Sequence, residues 1–403
     1  MKNVIVLKNA NSLDKNIILN DVDWSRKRNK NFSPLHAISS YLAMFCPSLP
    51  DYFIKKYSNK NDLIMDNFSG RGTTGLVARE LDRNFVGNDL NPYAFVLSRF
   101  KVSKLNKKRI ISVIKNLEEE FNNSTYKKMS LENSQLNDEM LIFYHEDTLR
   151  QLLFIRENYG KNWKSISDEI NAILAIALGL MHGPMKKNND SIYFSLSMPN
   201  TISMAPNYVK NYCLKNNLIK PKINIFEKIL ERLNNKYDSI LEKKFNGKIY
   251  FFDSTQKNPW IKNKSVDLVI TSPPYLSVVN YTTSNWLKLW LLGYERNYLN
   301  KKIKLSDKLK FDEYINFIEN YLNAIYPKLK NKAKVCLIVG DVFERQLIED
   351  VWNIICARVK YKLVEIYYDY NYSQSHKVTN MLNLKSGKAT KIDKVLVIEK
   401  YEN

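Results

Sequence analysis

Residues 66–75 read Asp66-Asn67-Phe68-Ser69-Gly70-Arg71-Gly72-Thr73-Thr74-Gly75, and this run decides the fold. A short apolar stretch, Asp62–Met65, precedes it, and a helix-compatible one, Gly75–Leu81, follows. Gly70, Gly72 and Gly75 have the G-x-G-x-x-G spacing that lets a backbone turn tightly between strand and helix and come close to a ligand. Twenty-three residues after Asp66, Asp89 closes a second apolar run, Asn84–Gly87. A carboxylate there can accept hydrogen bonds from ribose hydroxyls. The glycines alone would also suit a dinucleotide. Asp66 argues against one, because a carboxylate at the start of the loop repels a pyrophosphate but can hold a cationic amino acid, through bound water or its ammonium. The implied ligand is a nucleoside that bears an amino acid.

Working outward, strand-like runs recur at Lys248–Phe252 ahead of Asp253, Val266–Ile270 ahead of Thr271, and Ala333–Val339 ahead of Gly340-Asp341. Two more, Leu363–Tyr368 and Lys394–Glu399, suit a closing antiparallel hairpin. Helical stretches at Ala94–Lys101, Ser284–Leu292 and Phe311–Leu329 separate most of them. Alternating strands and helices predict an α/β, mostly parallel sheet with right-handed crossovers, whose ligand sits at the carboxyl ends of the strands. Residues 103–245 break the alternation with helical patterns at Ile110–Phe121, Trp163–Met181 and Ile225–Lys244, and a Ser/Met/Pro-rich loop at Ser191–Val209. That is far more chain than one crossover needs. The division expected is residues 1–102 as the cofactor-binding half, 103–245 as an inserted, mainly helical subdomain, and 246–403 as the catalytic half.

The run Val266–Ile270 leads into Thr271-Ser272-Pro273-Pro274-Tyr275. Consecutive prolines cannot donate backbone hydrogen bonds and hold the chain extended. The carbonyls of Ser272 and Pro273 are therefore available as acceptors. An exocyclic amine on a base is a poor nucleophile, since its lone pair is delocalised into the ring. Acceptors on both amino hydrogens favour the more nucleophilic, rehybridised nitrogen and stabilise the positive charge that develops on methyl transfer. Tyr275 offers a flat face for an extruded base, whose extrusion costs a few kcal/mol.

With both motifs in place, the chain resembles the amino-directed DNA methyltransferases. DNFSGRGTT is similar to their D-x-F-x-G-x-G-T-T cofactor motif, and SPPY to their (Ser/Asp/Asn)-Pro-Pro-(Tyr/Phe) catalytic motif. The resemblance implies a Rossmann-like class I methyltransferase sheet and S-adenosylmethionine as cofactor. It implies that Asp66, Phe68, Ser69, Gly70, Gly72, Thr73 and Thr74 surround that cofactor, with Asp89 and Leu90 at the ribose. Asp253 and Ser254 then approach the adenine amine, and Thr271 borders the site. Ser272, Pro273, Pro274 and Tyr275 are the implied catalytic residues. Serine in the first position is commoner in cytosine-N4 enzymes, so cytosine N4 is the expected target. Adenine N6 is the alternative, and a transfer-RNA guanine-N2 enzyme a further one. Upstream, Phe32-Ser33-Pro34-Leu35-His36 through Phe45-Cys46-Pro47 looks like the segment that cups the methionine end, with Ser33 and His36 as candidate contacts. Pro92 and Phe95 are candidates to flank the adenine, and Asn280 and Tyr281 to close over the flipped base. Double-stranded DNA is the implied partner, with the insertion at 103–245 expected to help hold it, and the family suggests a cognate restriction endonuclease. Cytosine-C5 chemistry needs a Pro-Cys nucleophile, and no proline here precedes a cysteine.

Composition agrees with this. The formal charge of +21 over 403 residues is spread along the chain, which suits a broad electropositive face for a phosphate backbone. The basic run Lys301–Lys310 is a candidate phosphate contact. Trp286 and Trp290, four residues apart, read as core. The four histidines are scattered, and His145 and His182 read as hydrogen-bonded structure. The cysteines at 46, 213, 336 and 356 form no CxxC pair, so no metal site is expected. No apolar run reaches membrane-spanning length, Ala172–Met181 reads as a buried helix, and the N-terminus lacks a signal-peptide pattern. A cytoplasmic protein without a membrane partner is the expectation.

Overall fold

The computed structural model describes residues 19–21, 32–42, 44–132, 135–185, 191–216, 218–274, 280–306, 309–340, 346–369 and 393–402. The strands are β1 (Leu19–Asp21), β2 (Leu63–Asp66), β3 (Asn84–Asn88), β4 (Gly247–Tyr250), β5 (Val266–Thr271), β6 (Leu329–Gly340), β7 (Tyr361–Asp369) and β8 (Asp393–Lys400). They form one sheet in the order β1-β7-β8-β6-β5-β2-β3-β4. All neighbours run parallel except β8, which is antiparallel to both β6 and β7. The sheet is therefore mostly parallel and Rossmann-like. From β2 the chain winds outward through β3 to β4, then returns to place β5 on the other side of β2. The order reverses between β2 and β5, and in such sheets the crevice beyond the strand ends at that reversal is where ligands bind.

The helices follow in chain order: α1 (Ser48–Tyr57), α2 (Thr73–Glu80), α3 (Pro92–Val102), α4 (Lys107–Asn123), α5 (Gln135–Leu141), α6 (Glu146–Asn158), α7 (Asp168–Leu180), α8 (Pro206–Asn216), α9 (Ile225–Lys236), α10 (Tyr281–Ser284), α11 (Trp286–Leu291), α12 (Leu299–Lys302), α13 (Phe311–Ile325) and α14 (Leu347–Ile355). Among the described residues, none is long and apolar enough to cross a membrane. Alternate strand residues serve opposite faces, as the two-residue repeat of a strand requires. Met65, Val269, Val335 and Leu337 pack with α13 and α14. Ile64, Leu268, Ile270 and Cys336 pack with α1 and α2. A third core joins α3 and α11 to α4, α6, α7 and α9, so the helices of residues 103–245 share an interior with the sheet's own helices. At its centre α7 is buried on every side from Asn171 to Leu180.

Several boundaries differ from those expected. The helical pattern at Trp163–Met181 begins only at Asp168, because the Ser167 side chain caps it by accepting from the Ile170 amide. Ile225–Lys244 ends at Lys236, and Asp238 caps a separate 3-10 turn, Ser239–Glu242. Phe311–Leu329 stops at Ile325, where Pro327 enters a 3-10 turn. Ser284–Leu292 narrows to α11, since Ser284 closes a separate short helix, α10, and Asn285 stands between the two, its side-chain amide donating to the Tyr281 carbonyl. Trp286 and Trp290 are buried, as expected.

Candidate active site

The loop after β2 is shaped by two residues in the left-handed region, Gly70 at φ +50° and Gly72 at φ +75°. A Cβ on Gly72 would lie 2.8 Å from the Ser98 Cα of α3. This glycine serves backbone-to-helix packing inside the protein, not ligand approach. Gly70 faces the cleft described below. Its amide donates to Asp89 Oδ2 at 2.8 Å, and the Asn91 amide donates to Oδ1 at 2.8 Å. Those two bonds orient the carboxyl group at the end of β3. Burial nevertheless outweighs them and raises its pKa from 3.8 to about 7.

Asp66, the last residue of β2, lies beneath the loop and is 1% exposed. Its Oδ1 accepts from the Thr271 hydroxyl at 2.7 Å and from the Phe68 amide at 3.1 Å. Its Oδ2 has no hydrogen-bond partner among the described residues, and burial lifts the acid to about 6. The Asp66–Thr271 bond joins the last residues of the two strands at the sheet's reversal. A second buried network supports the loop. Asn88 donates to the carbonyls of Asn67 and Phe252 and to the Ser254 hydroxyl, and it accepts from the Asn67 amide. Ser254 donates in turn to the Asn67 carbonyl at 2.6 Å, and the Tyr321 hydroxyl donates to Asn67 Oδ1 at 3.1 Å.

Above these networks lies a cleft with about 840 Å³ of free space, part of it open to solvent. The expected residues Phe68, Ser69, Gly70, Thr73, Asp89, Leu90, Asp253, Ser254, Ser272 and Pro274 all line it. Asp66, Gly72, Thr74, Thr271 and Pro273 do not; Asp66, Thr74 and Thr271 are buried below its floor, and the first and last of these form the bond just described. Tyr275 falls outside the described residues. Ser33 and His36 do not line the cleft either. The Ser33 hydroxyl caps the turn Pro34–Ala37, and His36 lies 3.5 Å from Glu80. Pro92 opens α3, and Phe95 packs against Trp163. Asn280 caps α10, His145 caps α6, and His182 is buried between the Pro199 carbonyl and the Ser203 hydroxyl.

Other residues line it too: Tyr41, Met44 and Phe45 from the upstream segment, Arg71 and Asn91 beside the expected residues, and Leu305, Ser306 and Phe317 from remote parts of the chain. Tyr281, a candidate from the sequence, is there as well. Phe68 packs against Phe317 and Tyr321, which makes one apolar wall. Tyr41 lies between Tyr93 and Tyr281, with the Tyr281 ring stacked at 5.9 Å, which makes another. Arg71 sits inside the cofactor motif itself, at a position the motif leaves open. Its guanidinium donates to Thr73 Oγ1 and to the carbonyls of His36 and Phe45. Three of its five N–H groups are thus used, and burial lowers its pKa to about 10. The cation ties the segment 36–45 to the loop.

At the end of β5 the Ser272 hydroxyl donates to the Ile338 carbonyl of β6 at 3.0 Å. The hydroxyl is therefore turned to the neighbouring strand, and the serine fixes where the Pro-Pro unit stands. On the opposite side, Asp253 Oδ1 accepts from the amide and the hydroxyl of Thr255. The cleft thus combines a carboxyl at β3, a second carboxyl after β4, one guanidinium and apolar walls. That donor set fits a nucleoside carrying a zwitterionic amino acid.

Comparison with known proteins agrees. A family model described as DNA methylase, of the N6/N4 type, matches residues 8–99 and 266–398, together more than half the chain. The unmatched stretch between them contains α4 to α9. The type II methyltransferase M.MjaII of Methanocaldococcus jannaschii is 23% identical over 385 residues, covering 76% of this chain and 72% of that protein. M.BsoBI of Geobacillus stearothermophilus is 22% identical over 342 residues, covering 79% of this chain and 64% of its own length, so the chain spans less than two thirds of that relative. The rRNA methyltransferase aviRa of Streptomyces viridochromogenes superposes with a TM-score of 0.36 at 10% identity, over 94% of this chain and 96% of that one. A likeness that loose carries no argument about function.

Proposed function

This chain belongs to the N6/N4 DNA methylase family, and on that premise we propose that it is a site-specific enzyme that methylates the exocyclic amine of a base flipped out of duplex DNA, cytosine N4 first. The methyl donor is S-adenosylmethionine. The observation that carries the reading is that Ser272 and Pro274 line the same cleft as Asp89, Asp253 and Gly70. Donor site and acceptor site therefore share one space, at the point where the strand order reverses.

When bound, the cofactor supplies the transferable methyl group. The chain's residues divide the rest. Asp89 accepts the ribose hydroxyls, and its prior bonds to Gly70 and Asn91 hold it in place for that task. Asp253 accepts from the adenine amine. Arg71 directs its remaining N–H groups to the amino-acid carboxylate, while Phe68 and Leu90 exclude water around the rings. Asp66 is a positioning residue in this scheme, since its bond to Thr271 sets the cofactor loop against the catalytic segment. The carbonyls of Ser272 and Pro273 accept the two amino hydrogens of the base. They favour the nucleophilic form of its nitrogen and stabilise the charge that appears as the N–C bond forms. The nitrogen then gives up one hydrogen as a proton to solvent water, and the electron pair of the broken methyl–sulfur bond stays with the donor's sulfur. Tyr275 supplies the stacking face for the base.

The preference for cytosine N4 is supported by Ser272, and site specificity and a cognate endonuclease by the type II names of the relatives. The test uses the purified chain with methyl-tritiated S-adenosylmethionine and, separately, duplex DNA, transfer RNA and ribosomal RNA. Label in DNA alone is expected. Label in either RNA and none in DNA would overturn the reading.

A further inference from the structure

Residues 191–226 contain four lysines and no aspartate or glutamate. Within them, α8 is held to the body by a narrow stripe: Pro206 and Val209 are buried and Cys213 is half-buried. Its other side is open to solvent. Tyr208 is 56% and Tyr212 47% exposed, and their rings lie parallel, 9° apart in plane and 6.2 Å between centroids. Four-residue and three-residue steps along a helix share a face, so Tyr208, Asn211, Tyr212 and Lys215 form one row, with Leu214 flanking it and the exposed Lys210 further round, beyond Leu214. Lys220 and Lys222, just beyond, are engaged by the Leu141 carbonyl and by Asp147. Lys210 and Lys215 have no carboxylate partner among the described residues.

The position matters as much as the composition. The Ser203 amide donates to the Ser284 carbonyl of α10 at 2.7 Å, and Trp286 Nε1 donates to the Met204 carbonyl at 3.1 Å. Those bonds anchor the residues leading into α8 to α11 and to α10, whose first residue, Tyr281, lines the cleft. The segment that leads into the exposed row is thus tied to the helix that supplies Tyr281 to the cleft.

We propose that α8 is the helix on which duplex DNA docks beside the flipped base: Lys210 and Lys215 meet phosphates, Asn211 faces base edges, and Tyr208 and Tyr212 offer stacking faces. The proposal rests on the DNA-methylating reading of the cleft. Charge decides the partner, because unopposed lysines among aromatic and amide groups complement a polyanion with flat bases. A protein partner would instead bury Leu214, 70% exposed, and Ile219, 85% exposed.

The test is fluorescence anisotropy on a labelled duplex, across a salt series, with the unaltered chain, Lys210→Gln/Lys215→Gln and Tyr208→Ala/Tyr212→Ala. Cofactor affinity and melting temperature are measured alongside. The lysine pair is expected to make the slope of log K against log salt shallower by about 1.8, two phosphate contacts' worth. The tyrosine pair should weaken binding roughly fivefold to a hundredfold, the range of one base–aromatic stack. Cofactor affinity and melting temperature should stay as they are. Unchanged DNA affinity and slope in both pairs, with the unaltered chain methylating DNA, would overturn the docking surface alone. So would variants that lose self-association or a protein partner but keep DNA binding. If the unaltered chain methylated no DNA, both readings would fall together.

Discussion

With the ribose placed on Asp89 as proposed, cofactor binding depends on pH in a direction that can be fixed beforehand. The folded-state pKa of Asp89, about 7, is raised above 3.8 chiefly by burial. Ribose hydroxyls donate hydrogen bonds, so they favour the ionised carboxylate, and binding must release the proton that the free protein holds. With a pKa near 7, about one tenth of the carboxyl groups are ionised at pH 6 and about nine tenths at pH 8. Affinity should therefore rise about tenfold over that interval. The suitable probe is 5′-methylthioadenosine, which keeps the adenosine moiety but lacks an amino group that titrates in this range. Calorimetry at pH 7, in buffers of different ionisation enthalpy, should show about half a proton released. Asp89→Asn should bind weakly and equally at both pH values. The same shift acts on the fold. Between about pH 4 and 7 the folded chain holds a proton that the unfolded chain has lost, so Asp89 makes stability decline across that window. Equal affinity of the unaltered chain at pH 6 and 8, or an unchanged pH profile in Asp89→Asn, would refute the assignment.

Other perturbations have equally definite outcomes. Gly72→Ala places a side chain at φ +75° and 2.8 Å from the Ser98 Cα, and should cost at least about 1–2 kcal/mol in denaturant unfolding. Asp66→Ala removes the bond to Thr271; it should weaken S-adenosylmethionine binding and lower stability by about 1–3 kcal/mol, and unchanged cofactor affinity would contradict its positioning role. Ser272→Ala frees the Pro-Pro segment from β6 and should lower kcat more than it raises the KM for cofactor. Lys288, 1% exposed and over the Tyr93 ring, has its pKa pulled by burial from 10.5 to about 7. Between those values the unfolded chain holds the extra proton, so stability should rise with pH, and Lys288→Met should make that rise shallower in thermal melts.

The features legible in the sequence are the local ones. The loop at 66–75 declares itself because a strand, three spaced glycines and a helix follow one another within twenty residues. The Pro-Pro unit does so because its backbone chemistry needs no tertiary partner. The supporting networks stay hidden because they join distant residues. Tyr321 reaches Asn67 across 254 positions, and nothing in the pattern of α13 distinguishes that tyrosine from its buried neighbours. Tyr41, Leu305 and Phe317 reach the cleft by folding alone. Arg71 is the exception, for it stands inside the motif, and its charge beside an amino-acid ligand is a signal the sequence contains. The stub β1, three residues long, has too few positions to show a two-residue repeat. Helices α1 and α6 escape because mixed runs show weak periodicity, whereas α14 carries a plain apolar stripe, Leu347, Ile348, Val351, Trp352 and Ile355, that the sequence does contain.

The central claim is that the Ser-Pro-Pro-Tyr segment directs methyl transfer to an exocyclic amine of DNA. The most direct measurement is nucleoside mass spectrometry of duplex DNA incubated with the purified chain and S-adenosylmethionine. N4-methylcytosine is the predicted product. N6-methyladenine would retain the mechanism and contradict the base assignment drawn from Ser272. C5-methylcytosine, or no methylated nucleoside while the protein binds cofactor and DNA, would contradict the account of the cleft.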